Sequence, residues 1–364
     1  MPVLTRHAPA GGPRTERHRS APGRPRPLAV AVAVLVVSGS LSLTVGVADL
    51  GLGALLRGDL TADQREVLLV SRLPRLVAIA LAGAALSVAG LIMQRITQNR
   101  FVSPSTSGTV ESAVLGILLA TLLFGDPLPV ARMGIAIATS LVGTFIFLRL
   151  LEHLRSTDGV VVALVGLMFG GVVTAITVFI AFQLDLSQML DVWTTGSFSG
   201  ILQGRYEPLY AVLVVGVVGY LFADRFTVIG MGESFAVDLG VRYRQTLHVG
   251  LVVVSVMAAV VVVVVGAIPL LGLVVPNLVT LALGDNLRRV LPVTAVSGAA
   301  FVLLCDVVGR LVRHPYEIPA STVAGVVGGS SSSSSSCAPP GGGRRDGHGR
   351  AAGRRRPGPH DHAR

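Results

Sequence analysis

Lysine is absent from this chain, and all 30 basic residues are arginine. A phosphate-cradling P-loop ends in Gly-Lys-Ser/Thr, so that route to nucleotide hydrolysis is excluded from this polypeptide. The uniform use of arginine otherwise reads as a GC-rich coding bias. Cysteine is almost as scarce: Cys305 lies in an apolar run and Cys337 in a polar tail. Two such residues make neither a metal spacing nor a disulfide framework. Of the eight histidines, His7, His18, His348, His360 and His362 lie in the tails and His153, His248 and His314 at scattered ends of apolar runs. None has the cysteine partners of a zinc site. No Ser-His-Asp or paired-carboxylate constellation is set up by spacing, so no enzyme chemistry, metal or cofactor is expected in this chain.

Charge is also sparse. Only 14% of the 364 residues are charged and 51% are hydrophobic, with a mean hydropathy of +0.71. Such a chain reads as an all-α polytopic membrane protein. The net charge of +10 comes largely from the tails, with six arginines before Leu28 and seven after Gly343. A nucleic-acid partner is therefore not expected; membrane lipid is. The first apolar run, 28–47, is long enough to span and is followed by no A-x-A cleavage site, so it reads as an uncleaved first helix.

Apolar windows predict spans at 28–48, 74–94, 109–124, 129–151, 160–183, 206–223, 243–266, 270–283 and 290–311, with a tenth starting at 319. Pro74, Pro292 and Pro319 are expected at helix starts, where a missing N–H costs nothing. The division that follows is a basic disordered tail at 1–27, a transmembrane domain at 28–329, and a low-complexity Ser/Gly/Pro/Arg tail at 330–364. In the stretch 266–277, Gly266, Pro269, Gly272, Pro276 and Asn277 interrupt an apolar run, the pattern of a broken helix tolerated where protein or a water-filled path covers the backbone.

Between two apolar spans lies a short polar stretch with a helical pattern, 230–240, ending in Leu239-Gly240. It is too short and too charged to cross, so it is expected to lie on the membrane surface, where a soluble partner can grip it. An N-terminus in the cytoplasm places this segment on the cytoplasmic side after six crossings. The same topology places Arg72, Arg75 and Arg310 outside, against the positive-inside tendency.

Five motifs carry a resemblance: Arg72-Leu73-Pro74-Arg75, Gln98-Asn99-Arg100-Phe101-Val102-Ser103-Pro104-Ser105, the surface segment 232–240, Gly272-Leu273-Val274-Val275-Pro276-Asn277 and Glu317-Ile318-Pro319. Together they resemble the FecCD-type permeases of binding-protein-dependent ABC importers for iron-siderophores, haem and vitamin B12. The resemblance implies an about ten-helix, type II, vitamin B12 permease-like bundle in the cytoplasmic membrane. Within the family the chain looks most like iron(III)-siderophore permeases. The partners implied are a separate ABC ATPase that uses the ATP, an extracytoplasmic substrate-binding protein, and a second permease copy or paralogue.

By that resemblance, Arg72, Arg75 and Arg310 are docking arginines that meet acidic side chains of the binding protein. Gly232, Glu233, Ala236, Leu239 and Gly240 match a coupling helix that inserts into the ATPase. Each has a simpler reading: Arg72 and Arg75 snorkel at a helix start, Arg310 pairs with Asp306 inside the membrane, and the surface segment is an ordinary turn. Phe235 and Val237 fit packing on the bundle as well as contact with a partner. Glu111 departs from the family, which has a small or uncharged residue there, and is a functional-site query.

After Gly329 the chain departs again. Seven serines and a Pro/Gly/Arg-rich tail replace the apolar run that would complete the tenth helix, so that helix reads as truncated by a frameshift near codon 329. A genuine linker whose missing half-helix a partner replaces is the other reading. The open alternatives for function are a haem or cobalamin permease of the same fold, an ion-coupled secondary carrier, and an inactive truncated copy.

Overall fold

A computed structural model describes residues 27–45, 57, 61–125, 128–154, 158–312 and 316–336, the last seven as backbone. The expectations for 1–26, His314 and 337–364 lie outside these residues. Every element among the described residues is helical. The principal helices are α1 (Pro27–Thr44), α2 (Ala62–Ile96), α3 (Thr109–Phe124), α4 (Pro129–Leu154), α5 (Gly159–Gln183), α6 (Ser187–Thr194), α7 (Glu207–Leu221, opening with a 3-10 turn), α8 (Ala223–Ile229), α9 (Glu233–Asp238), α10 (Tyr243–Val265), α11 (Leu271–Leu283), α12 (Leu287–Val312) and α13 (Ala320–Ser336). Six of them, α1, α2, α4, α5, α10 and α12, are long and apolar enough to cross a membrane, and α7 with α8 forms a span bent by 59°. Shorter apolar helices occupy the remaining expected positions: α3, α11 and the first part of α13, Ala320–Gly329.

Helix α2 is the hub, with 72% of its apolar window buried against 22% for α1 and for α5. Glycines make this possible by letting backbones touch where lipid supplies no hydrophobic drive. A methyl group at Gly90 would sit 1.9 Å from the Gly272 carbonyl oxygen of α11, and one at Gly83 would sit 2.5 Å from the Gly298 carbonyl oxygen of α12. Polar side chains tie α3, α4 and α10 together: the Thr109 and Thr144 hydroxyls bond at 2.8 Å, and Ser255 donates to Thr144 at 3.2 Å.

Pro74 does not begin a helix. It lies twelve residues inside α2, just after a π turn at Leu68–Arg72. A proline leaves the carbonyl four residues back without its donor. Here that carbonyl, Val70, accepts instead from the Gln203 N–H at 3.0 Å, so a loop after α6 satisfies it. Pro292 likewise falls within α12 and Pro276 within α11. Only Pro319 stands where expected, directly before α13, its carbonyl accepting from the Thr322 N–H at 3.0 Å.

The interrupted stretch resolves into a turn and an unbroken helix. Gly266 has φ +95° and ends α10, and Leu270 has φ +61° and opens α11. The turn pairs with the loop after α6: Gly196 N–H donates to Ala267 O at 2.9 Å and Ser197 N–H to Val265 O at 3.1 Å. Pro276 deprives the Gly272 carbonyl of its helical donor, and that carbonyl is the one pressed against Gly90. Helix α13 also differs from expectation, running on through the serine run to Ser336. Serine is only moderately poorer than alanine as a helix former, so composition alone does not stop the helix.

Candidate functional site

Two polar regions lie at opposite ends of α2. Arg75 and Arg95 are separated by twenty residues, a rise of about 30 Å, which is the thickness of a bilayer's hydrocarbon core.

At the first end, four charges form one cluster. Arg75 Nη2 donates to Asp306 Oδ1 at 2.7 Å. The same guanidinium grips Glu317 with two bonds, Nη1 to Oε1 at 2.9 Å and Nη2 to Oε2 at 3.0 Å. Arg310 Nη2 lies 2.6 Å from Asp306 Oδ2, one helical turn along α12. The side chains of Asp306 and Arg310 are 3% and 8% exposed, Arg75 15% and Glu317 36%. The cluster therefore has a buried half and an outer half.

The arginines also finish α1. The last carbonyls of a helix lack donors and carry the negative end of its dipole. Arg310 donates to Ser42 O at 3.1 Å, to Val45 O at 2.7 Å and to the Ser42 hydroxyl at 2.6 Å. Arg72 donates to Leu43 O. In this arrangement Arg310 has its fork turned inward, as an ion pair inside the bundle. Arg72 faces the α1 end, and Arg75 stands at the boundary between the interior and the surface. Glu317 is the member that sequence reading placed in a motif but gave no role; it is 242 positions from Arg75, so no local spacing announces the pair.

At the other end, α9 stands on the surface between two glycine joints. Gly232 precedes it at φ +117° and ψ +159°, a region open essentially to glycine alone. Gly240 follows it at φ +74°. Val241 N–H donates to Ala236 O and Gly240 N–H to Val237 O, both at 2.9 Å, the paired bonds of a Schellman stop. Ala236 is fully buried, so its side chain faces inward against the bundle. The exposed apolar side chains are Met231, Phe235, Val237 and Leu239. The expected anchor Leu239 is among them, and Phe235 and Val237 point away from the bundle.

This end is braced by ions. Arg95 donates to Asp285 Oδ1 at 2.8 Å, and Arg288 reaches Asp224 at 2.8 Å. The Arg95 hydrogen bond, with the charges of Arg95 and Arg100, holds the Asp285 carboxyl below the usual carboxylate range. Asn277 and Gln94 both donate to the Arg100 carbonyl, at 3.0 and 3.2 Å, which seats the Gln-Asn-Arg motif on α11. Asn99 reaches Gly159 O at 2.8 Å and so fixes the start of α5. Glu111, in the first turn of α3, lies against Gly170 of α5, with Oε2 buried and without a hydrogen-bond partner. Among the described residues no three His, Cys, Asp or Glu side chains gather as a metal ligand set.

Comparison with known proteins agrees with this architecture. The petrobactin import system permease protein YclN of Bacillus subtilis (strain 168) is 44% identical over 284 residues, 78% of this chain and 89% of that protein. The ferric-anguibactin transport system permease protein FatD of Vibrio anguillarum is 40% identical over 261 residues, 72% of this chain and 83% of that protein. Among solved structures, an inward-facing metal-chelate type ABC transporter superposes with a TM-score of 0.70 at 22% identity, covering 86% of this chain and 98% of that one, which establishes the fold. The model of the FecCD transport family matches residues 34–330, nearly the whole described bundle, and the chain is a multi-pass membrane protein that belongs to this family of transport permeases.

Proposed function

We propose that this chain is the membrane-spanning subunit of an ABC importer that moves an intact iron(III)-siderophore across the cytoplasmic membrane. The observation that carries the reading is the likeness, over most of both chains, to permeases named for petrobactin and anguibactin. The chain needs no cofactor of its own. A separate ATPase supplies the energy, a substrate-binding protein delivers the chelate, and a second copy or a paralogue completes the path. The N-terminus lies in the cytoplasm, which puts α9 with the ATPase and the Arg75 end with the binding protein. Four exposed apolar residues on and beside a two-turn surface helix suit insertion into an apolar groove. At the outer face, Arg72 and Arg75 meet the acidic side chains of the binding protein, while Arg310 supports that face from within.

The test is uptake of radiolabelled iron, presented as a panel of siderophores beside haem and cobalamin, by cells whose sole permease is this chain with its ATPase and binding protein. Leu239→Asp is expected to abolish uptake while the permease stays folded in the membrane, because a charge replaces the apolar anchor. Uptake that survives Leu239→Asp and proceeds without the ATPase would replace the ABC reading by an ion-coupled carrier. Uptake restricted to haem or cobalamin would move the substrate class and keep the mechanism.

A further inference from the structure

The outer fork of Arg75 is already occupied. Glu317 holds it with two parallel hydrogen bonds of 2.9 and 3.0 Å, the geometry with which arginine takes any carboxylate. With Asp306 and Arg310 the cluster counts two cations and two anions, so in its closed form the charge of Arg75 is already neutralised by carboxylates of this chain. We propose that Glu317 is an internal stand-in for the partner's carboxylate, and that docking exchanges one for the other on Arg75. The inference rests on the docking reading given above and adds to it a switch.

Three features make Glu317 the member that moves. It is the most exposed of the four, whereas Asp306 is 3% exposed and held from both sides. The Glu317 carboxylate is 36% exposed, so its pair with Arg75 is partly screened by solvent, and an incoming carboxylate of equal geometry replaces its two hydrogen bonds in kind. Glu317 also leads directly into α13, through Ile318, whose N–H donates to Gly309 O at 3.1 Å, and Ser321, whose N–H donates to Gly196 O at 3.2 Å. Releasing Glu317 removes the side-chain tie between α2 and the start of α13. A docking event at the surface thus reaches a bundle helix through one exchanged ion pair, a differential contact of the kind that shifts a conformational equilibrium.

The experiment uses the permease with its ATPase in lipid nanodiscs, and its binding protein loaded with the chelate identified by the uptake panel. Association is followed by surface plasmon resonance for the unaltered chain, Glu317→Gln and Arg75→Gln. Glu317→Gln keeps the side-chain shape and is expected to raise the association rate on the order of 3- to 10-fold at low salt, the gain shrinking as salt rises. Arg75→Gln is expected to slow docking and to make the effect of Glu317→Gln vanish in the double variant. A second readout needs no variant: amide hydrogen exchange over 320–323 is expected to quicken when the binding protein docks. Docking lost in Arg75→Gln but unchanged or slower in Glu317→Gln, or amide exchange at 320–323 indifferent to docking, would overturn the exchange and leave the docking reading standing. Undiminished docking to Arg75→Gln would remove the docking reading itself.

Discussion

Asp306→Asn is the most informative single change to the bundle. The carboxylate touches both Arg75 and Arg310 and is nearly sealed from solvent. Asparagine preserves the volume but withdraws the charge from two guanidinium groups at once. Breaking a buried ion pair by removing one partner costs about 3–5 kcal/mol, because the survivor is left charged and desolvated. Two features place the cost at the lower end of that range. Arg75 keeps Glu317, and Arg310 keeps the Ser42 and Val45 carbonyls and the Ser42 hydroxyl. The expectation is therefore about 3 kcal/mol, which on the scaling of soluble domains of 150–250 residues lowers the unfolding midpoint by roughly 6–12 °C. Purified permease heated in detergent and followed by fluorescence-detected size exclusion reads that shift. Adding Arg310→Met should restore part of the loss, because it removes the stranded charge but also the donors to the Ser42 and Val45 carbonyls. A loss in Asp306→Asn below about 1 kcal/mol, or a double variant no more stable than the single one, would refute the account of the cluster as a buried network.

Two further outcomes follow from the geometry. Gly90→Val puts branched carbon against the Gly272 carbonyl, where even a methyl would lie at 1.9 Å, so α2 and α11 are forced apart; overpacking typically costs about 1–3 kcal/mol and a backbone clash sits at or above the top of that range, read as a lowered unfolding midpoint or as protein lost from the membrane. At the opposite end, the depressed pKa of Asp285 means that its pair with Arg95 contributes stability above the ordinary carboxylate value of 3.8 and loses it as pH falls through the lower folded value. Asp285 is 60% exposed, so Asp285→Asn should cost less than about 1 kcal/mol at pH 7 and should show a flatter stability profile than the unaltered chain only under strongly acid conditions.

The helices were legible because lipid demands long apolar runs: each expected window coincides with a helix or a bent pair, and among the described residues six of these, or seven with the bent pair, are long and apolar enough to span. The surface helix was legible too, since Leu239-Gly240 is a local stop signal and Gly240 does take the left-handed conformation. What stayed hidden is whatever depends on partners distant in sequence. Pro74 looked like a helix start because nothing in its neighbourhood shows that Gln203 will satisfy the Val70 carbonyl. Which way Ala236 faces was hidden as well, because its small size is as useful for packing inward as outward, and the rotation of a six-residue helix is set by the bundle beneath it. Asp306 was readable one turn from Arg310, but its second bond, to Arg75, spans 231 positions.

The buried cluster also explains how three arginines are tolerated at one end of an apolar bundle. An arginine near the core of a bilayer is costly unless its donors are used and its charge is met. The charge of each is met, and their terminal nitrogens are used: Arg310 on Asp306 and the end of α1, Arg72 on Leu43, and Arg75 on two carboxylates, while the Nε groups of Arg75 and Arg310 are buried without a hydrogen-bond partner. Arg310, 8% exposed, is spent on Asp306 and on the end of α1, which suits a support acting from within the bundle. Arg75 has a committed side and an exchangeable side, the first on a carboxylate 3% exposed and the second on one 36% exposed. On the proposed docking reading, the residue that holds the bundle together at this end is also the one an incoming carboxylate reaches.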